Sequence, residues 1–158
     1  MMLFPANQYK DTVTVLTPYK DLDTGDMRYF RRVLDRCFWN ADSVEINRTG
    51  GTVAPEQVTL NVPLLYNDGY VNRVVWADMP RDEVGGYYTI RTGGELEHSI
   101  ILRGDVEYPQ LEEWAGSEAI GRVLRDFRRV FGGLEHSPTN VSEYLFGPQS
   151  MHRIVCVC

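Results

Sequence analysis

Short runs rich in Val, Ile, Thr and Tyr follow one another along the chain, at 12–16, 58–65, 70–76, 87–91 and 100–103. The punctuation between and around them is Thr24-Gly25, Gly50-Gly51, Asp68-Gly69, Gly85-Gly86 and Gly93-Gly94. β-Branched and aromatic side chains suit a pleated, half-buried surface, and Gly supplies the positive φ that tight turns demand. Runs of this length and spacing predict a mainly β protein, an antiparallel β-barrel or sandwich. Arg48-Thr49-Gly50-Gly51 is echoed by Arg91-Thr92-Gly93-Gly94. Four shared residues predict two similar turns rather than a duplicated unit.

One segment has a different period. Over 117–131, Ile120, Val123, Leu124, Phe127 and Phe131 fall on one face of a helix, with Arg122, Arg125, Arg128 and Arg129 along the other side. Ser117 can cap its start and Gly132-Gly133 stops it. The segment 109–114 predicts one helical turn before it. The stretch 134–150, with Pro138 and Pro148, predicts an irregular loop. A loop of that length in a compact domain is usually functional or disordered. Residues 151–158 predict a terminal strand.

The stretch 27–39 is ambiguous. Phe30, Val33, Leu34, Cys37 and Phe38 recur at the helical spacing i, i+3, i+4, i+7, i+8. The same stretch is rich in Tyr, Phe and Trp, and it follows Asp23-Thr24-Gly25-Asp26, which reads as a hairpin tip. Periodicity alone favours a helix.

With 158 residues, 43% of them hydrophobic, the chain is read as a single domain over 1–158, large enough to bury its own core. No apolar run approaches a membrane span. The start, Met1-Met2-Leu3-Phe4-Pro5, lacks the basic and long apolar stretches of a secretory signal, which points to the cytoplasm. Cys37, Cys156 and Cys158 form no disulfide framework, in keeping with a reducing compartment, where the triplets at Asn47 and Asn140 carry no glycan. The formal net charge of −6 argues against gripping nucleic acid, which takes clustered Lys and Arg. An acidic wall beside which a duplex slides remains compatible with it.

Candidate chemistry is sparse. His152, Cys156 and Cys158, with His136 or Cys37 as a fourth, contain zinc-type ligands. Strand geometry instead puts Ile154, Cys156 and Cys158 on one face, as small apolar residues. His98 between Glu97 and Ser99 resembles a nucleophilic set only in order, since neighbours on a strand point to opposite faces. His136 reads as a solvated loop imidazole. The acids Asp21, Asp23, Asp26, Asp82, Glu83, Glu95, Glu97, Glu112 and Glu113 sit in turns or at helix starts, and nothing selects a catalytic pair. The reading is therefore no enzyme, no metal and no cofactor. Loop-flanking aromatics mean more: Tyr66, Tyr144 and Phe146 are candidate anchors of a protein interface.

The order of features carries a resemblance. The strand Thr12-Val13-Thr14-Val15-Leu16-Thr17-Pro18-Tyr19-Lys20 leads to Tyr29-Phe30-Arg31-Arg32-Val33-Leu34 and then Cys37-Phe38-Trp39. Later come Tyr87-Tyr88-Thr89-Ile90-Arg91-Thr92-Gly93-Gly94-Glu95 and Ser99-Ile100-Ile101-Leu102-Arg103-Gly104-Asp105, a helix, and a terminal strand beginning near Met151-His152. This resembles the small neck-module proteins of long-tailed bacteriophages, across most of 9–158. It departs from them in the insert between Gly94 and Ile100 and in the long loop 132–150.

The resemblance implies that 27–39 is a long strand. It also implies a virion role at the head–tail connector, as a head-closure or stopper ring subunit that retains packaged DNA and docks the tail. Copies of itself, in sixfold or twelvefold rings, would be its partners, together with portal or adaptor and tail-terminator or tail-tube proteins. Double-stranded DNA would pass through the lumen without specific binding, as at genome ejection, with no membrane involved. The chain would reside in the virion, and in the host cytoplasm during assembly. Loops 43–57 and 132–150 are then expected at subunit contacts or towards the channel, and acids at 21–26 or 82–83 along the lumen. Arg125 and Arg129 are expected on an outward or intersubunit face. The rivals are a tail-terminator or tail-completion ring protein, a small β-barrel hydrolase with His98 or His136 as base, and a non-virion binding module.

Overall fold

The computed structural model describes residues 9–42 and 57–158. Its centre is a hairpin of two long strands, β1 (Asp11–Lys20) and β2 (Met27–Asp42). The tip at 21–26 closes as the sequence predicts. Asp21 N donates to Asp26 O at 2.8 Å and Gly25 N to Asp21 O at 2.8 Å. Gly25 sits at φ 76°, where any side chain is strained. β3 (Gln57–Pro63), β4 (Ile100–Arg103), β5 (Asn140–Tyr144) and β6 (Arg153–Val157) complete one antiparallel sheet in the order β4-β1-β2-β3-β6-β5.

The sheet does not close into a barrel. It divides at β2 into two halves that share one core, as in a sandwich. Val13, Val15 and Ile101 of the β4-β1-β2 half pack in one cluster with Val58, Leu60, Val62, Ile154 and Cys156 of the β2-β3-β6-β5 half. Arg36 makes the division. It is the one non-glycine residue at positive φ (51°) among the described residues, and the β1–β2 register slips beside it, from Val13↔Leu34 to Asp11↔Cys37. This bulge shifts the alternation by one residue, so core-facing Leu34 is succeeded by Cys37 and Trp39. The spacing of three between Leu34 and Cys37, which looks helical in the sequence, is the mark of the bulge. The 27–39 stretch is a strand.

The other face of the β4-β1-β2 half is covered by α2 (Ser117–Phe131). Ile120, Leu124 and Phe127 bury against Leu16, Met27, Tyr29, Ile100, Leu102 and Leu111, with Val123 and Phe131 at the margin. Its cap is Gly116 rather than Ser117, whose hydroxyl lies 3.7 Å from Met27 Sδ. Gly133, at φ 84°, ends the helix as expected. A 3-10 turn at Pro109–Glu112 precedes it. β1 is thus covered on both faces, and Val13 to Tyr19 are all buried. Among these, Val13, Val15 and Leu16 contribute about 1.5–3 kcal/mol each when removed from water.

Four expectations are corrected. Residues 70–76 are not a strand: Tyr70 makes an isolated bridge to Tyr88, and Arg73–Asp78 form α1. The Asn72 side chain accepts from Val74 N at 3.0 Å and Val75 N at 2.9 Å, and this N-cap overrides the β-propensity of the two valines. Trp76 is fully buried, its Nε1 donating to Pro18 O at 3.1 Å. Residues 87–91 are extended but form no ladder, following a 3-10 turn at Val84–Gly86. The run 58–65 ends as a strand at Pro63. There Asn67, buried, donates to Pro63 O and Asp35 O and accepts from Asp35 N. The loop 134–150 contains β5. The Gly50-Gly51 turn, the first copy of the repeated Arg-Thr-Gly-Gly and loop residues 43–56 lie outside the described residues.

Candidate interaction surfaces

Register brings three loop aromatics to one end of the sheet. Tyr144 pairs with Arg153, and Arg153 with Pro63, so residues 64–66 and 144–146 leave the sheet at the same end. Tyr144 and Phe146 meet edge-on at 6.2 Å, and the Arg153 guanidinium lies 4.8 Å over the Tyr144 ring. Phe146 is 71% exposed and Leu145 47%. His152 Nε2 sits 3.1 Å from Gly147 O and braces the turn that presents them. Tyr66 is engaged within the fold, half-buried with Arg36 stacked 4.6 Å over its ring. Leu145 and Phe146 thus form the exposed apolar pair, and Tyr144 supports them. β5 hydrogen-bonds β6 on one side, and among the described residues no strand pairs with its other side.

Arg125 and Arg129 lie elsewhere, on the outer face of α2. Arg129 pairs with Asp126 at 3.6 Å and Arg122 with Glu118 at 3.5 Å. Arg128 turns to the fold, reaching Glu95 at 2.6 Å and Glu135 at 3.8 Å. Arg125 is exposed, with no acid in salt-bridge range among the described residues.

A second surface is absent from the sequence reading. Tyr19, Phe30, Trp76 and Trp114 gather with ring centroids 5.6–6.1 Å apart, all near edge-on. Arg28 lies 3.8 Å over Phe30 and Arg81 3.8 Å over Trp114. Each edge-on pair contributes about 0.5–1.5 kcal/mol beyond its buried area. Above the cluster opens a cleft of about 700 Å³, lined by Arg28, Arg81, Trp114, Asp21, Asp23 and Asp82 among others. The alternation Arg28-Phe30-Arg32 on β2 is the signal that could have revealed it. Arg32 continues the pattern, 5.1 Å from the Tyr88 ring.

The acids of the hairpin tip divide. Asp21 is buried and unavailable to line a channel. Its Oδ1 accepts from Asp23 N at 2.9 Å and Thr24 N at 3.4 Å, and Arg81 pairs with Oδ2 at 3.1 Å. The Asp23 amide is the largest influence holding its carboxyl below the ordinary 3.8. Burial opposes it, and the Thr24 amide and Arg81 add to it. Asp23, Asp82 and Glu83 are exposed.

The candidate chemistry disperses. Ser99 is buried, 2.8 Å from Thr17 Oγ1, whereas His98 Nδ1 turns to Gly94 O at 2.9 Å. His136 is not a solvated loop side chain. Its backbone bridges Ile101, and its ring packs 5.0 Å from that of Trp39. Cys37 is buried and burial pushes its thiol up to about 12. Among the described residues no three His, Cys, Asp or Glu side chains gather to hold a metal, and no helix is long and apolar enough to cross a membrane. Compared with known protein families, characterised proteins and solved structures, the chain matches none.

Proposed function

We propose that this chain is a structural subunit of the neck of a long-tailed phage, a head-closure (stopper) ring protein that holds packaged DNA and docks the tail. The observation that carries the reading is the open antiparallel sheet. Among the described residues β5 ends it with one side unpaired, and the exposed Leu145 and Phe146 follow directly. An edge of this kind either is protected or receives a partner. A contact between this edge and a different patch on the next copy is heterologous, and such contacts build a ring when the rotation between copies closes. The portal or adaptor would lie on one side of the ring and a tail-terminator or tail-tube protein on the other.

The charge balance suits a wall past which DNA moves. Asp23, Asp82 and Glu83 remain available for a lumen, and the Arg125–Arg129 face of α2 belongs on the outside or at a subunit contact. The isolated chain is expected to show negligible duplex binding near physiological salt. Micromolar, salt-sensitive binding abolished by Arg125→Glu with Arg129→Glu would place α2 towards the DNA instead. The decisive experiment is the protein composition of particles purified from cultures carrying the gene. The chain is expected in DNA-filled particles, and heads made without it are expected to lose their DNA. Its absence from filled particles overturns the proposal.

A further inference from the structure

The terminal strand places two thiols together. Cys156 and Cys158, two apart on β6 and its end, share a face, and their sulfurs are 3.7 Å apart. Cys156 is fully buried and Cys158 half-buried at the margin of the shared core. Cys37, the third thiol, is buried and turned to its own strand, with Sγ 3.6 Å from Asp35 O. We propose that Cys156 and Cys158 form a redox-active dithiol, a site of reversible disulfide formation through exchange with low-molecular-weight disulfides.

The roles follow from position. Cys158 is the accessible sulfur, and the hydrogen bond from the Cys156 thiol favours its thiolate, moving its pKa down while that of Cys156 moves up. The Cys158 thiolate attacks one sulfur of the small disulfide. That S–S bond breaks, a mixed disulfide forms, and one small thiolate leaves. Cys156 then gives up its proton to that thiolate and attacks Cys158 Sγ, expelling the second small thiolate. Counting the proton that Cys158 released on ionising, which the second small thiolate takes up, the protein loses two protons and two electrons, and the small disulfide becomes two thiols.

The bond would act on the sheet. Residues two apart on a strand have Cα atoms about 6.6 Å apart, at the upper limit of what a disulfide spans. Closing it therefore draws the strand in across Val157. That residue pairs with Thr59 on one side and Asn140 on the other, and its carbonyl accepts from Thr139 N at 2.7 Å and Thr139 Oγ1 at 3.0 Å. Oxidation should loosen the start of β5, which makes the dithiol a regulator of that edge whether or not the edge builds a ring.

The test is incubation of the full chain with oxidised glutathione, followed by thiol counting under denaturing conditions and peptide mass mapping. Free thiols are expected to fall from three to one, with a 156–158 disulfide, Cys37 reduced, and Cys158 reacting at least about tenfold faster than Cys37. Cys156→Ser should stop at the glutathione adduct on Cys158, and Cys158→Ser, at the half-buried position, should leave Cys156 unreacted. Hydrogen exchange at the Thr139 amide should quicken in the oxidised protein. Three surviving thiols, a lasting adduct in the unmutated chain, or disulfides between chains would each overturn the proposal. Unchanged Thr139 exchange would remove the coupling to β5.

Discussion

Before Arg36, β2 is packed against buried clusters on both faces; beyond it, the core covers one face, and on the other Phe38 is half-buried with its ring 5.7 Å from that of Tyr9. In the first half Met27 and Tyr29 lie under α2, while Phe30 joins the aromatic cluster and Leu34 the shared core. In the second half Cys37 and Trp39 face the core and Asn40 is exposed. The strands that continue each half follow suit. β1 is buried along seven consecutive residues, whereas β5 has none buried and, among the described residues, one side unpaired. A strand enclosed on two sides is specified by volume on both. A strand enclosed on one side has a face and an edge left over, and that remainder is where this chain can meet another.

The largest effects should mark the enclosed half. Phe127→Ala is expected to cost about 3–5 kcal/mol in urea unfolding, against at most about 1 kcal/mol for Val155→Ala on β6. Equal costs would mean that the halves are equally enclosed. Next comes the junction between them. Arg36→Val should cost about 1–2 kcal/mol, because a β-branched residue resists positive φ. Arg36→Gly should stay within about 1 kcal/mol of the parent, relieving the backbone while losing the stack on Tyr66. If Gly were as damaging as Val, the stack rather than the bulge would hold the two halves in place.

Asn72→Ala should cost about 1 kcal/mol, with α1 loosened over the aromatic cluster, seen as a shift in Trp76 fluorescence. Asp21 gives a pH dependence. Its folded-state pKa is depressed, so its contribution is fully present above the ordinary 3.8 and is lost as pH falls through the lower folded value. Asp21→Asn should therefore flatten the acid limb of the stability curve around and below that pH. An unchanged acid limb would show that Asp21 is not linked to folding. The smallest effect on stability is expected at the open end. Phe146→Ala should change unfolding by no more than about 0.5 kcal/mol, yet with Tyr144→Ala it should reduce assembly measured by light scattering. Normal assembly of the double variant would take this loop out of the interface.

Local signals made much of this readable in advance. The apolar stripe from Ile120 to Phe131 specifies α2, because a 3.6-residue period has one structural solution against an apolar sheet. Asp23-Thr24-Gly25-Asp26 specifies the hairpin tip, and Ile154 with Cys156 the inward face of β6. Tyr144 and Phe146 were identifiable as loop aromatics flanked by proline. That they converge with residues 64–66, and that Tyr66 is stacked under Arg36, depends on the register of β3, β6 and β5, which no local pattern encodes.

The residues alone therefore determined where the chain turns, which helix is amphipathic and which class of sheet it builds, since those follow from backbone angles and side-chain period within a few neighbours. Tertiary structure decided three things. It set the parity change at Arg36, where two partner strands impose a bulge on a helix-like spacing. It made 73–78 helical, where the Asn72 cap and the burial of Trp76 outweigh two valines. It also brought Arg28, Arg81 and Trp114 around one cleft, from segments more than thirty residues apart in sequence. In the first and last the deciding energy comes from contacts between segments distant along the chain, and in the second the local Asn72 cap is joined by the distant contact of Trp76 with Pro18; a reading of neighbouring residues contains none of these distant contacts.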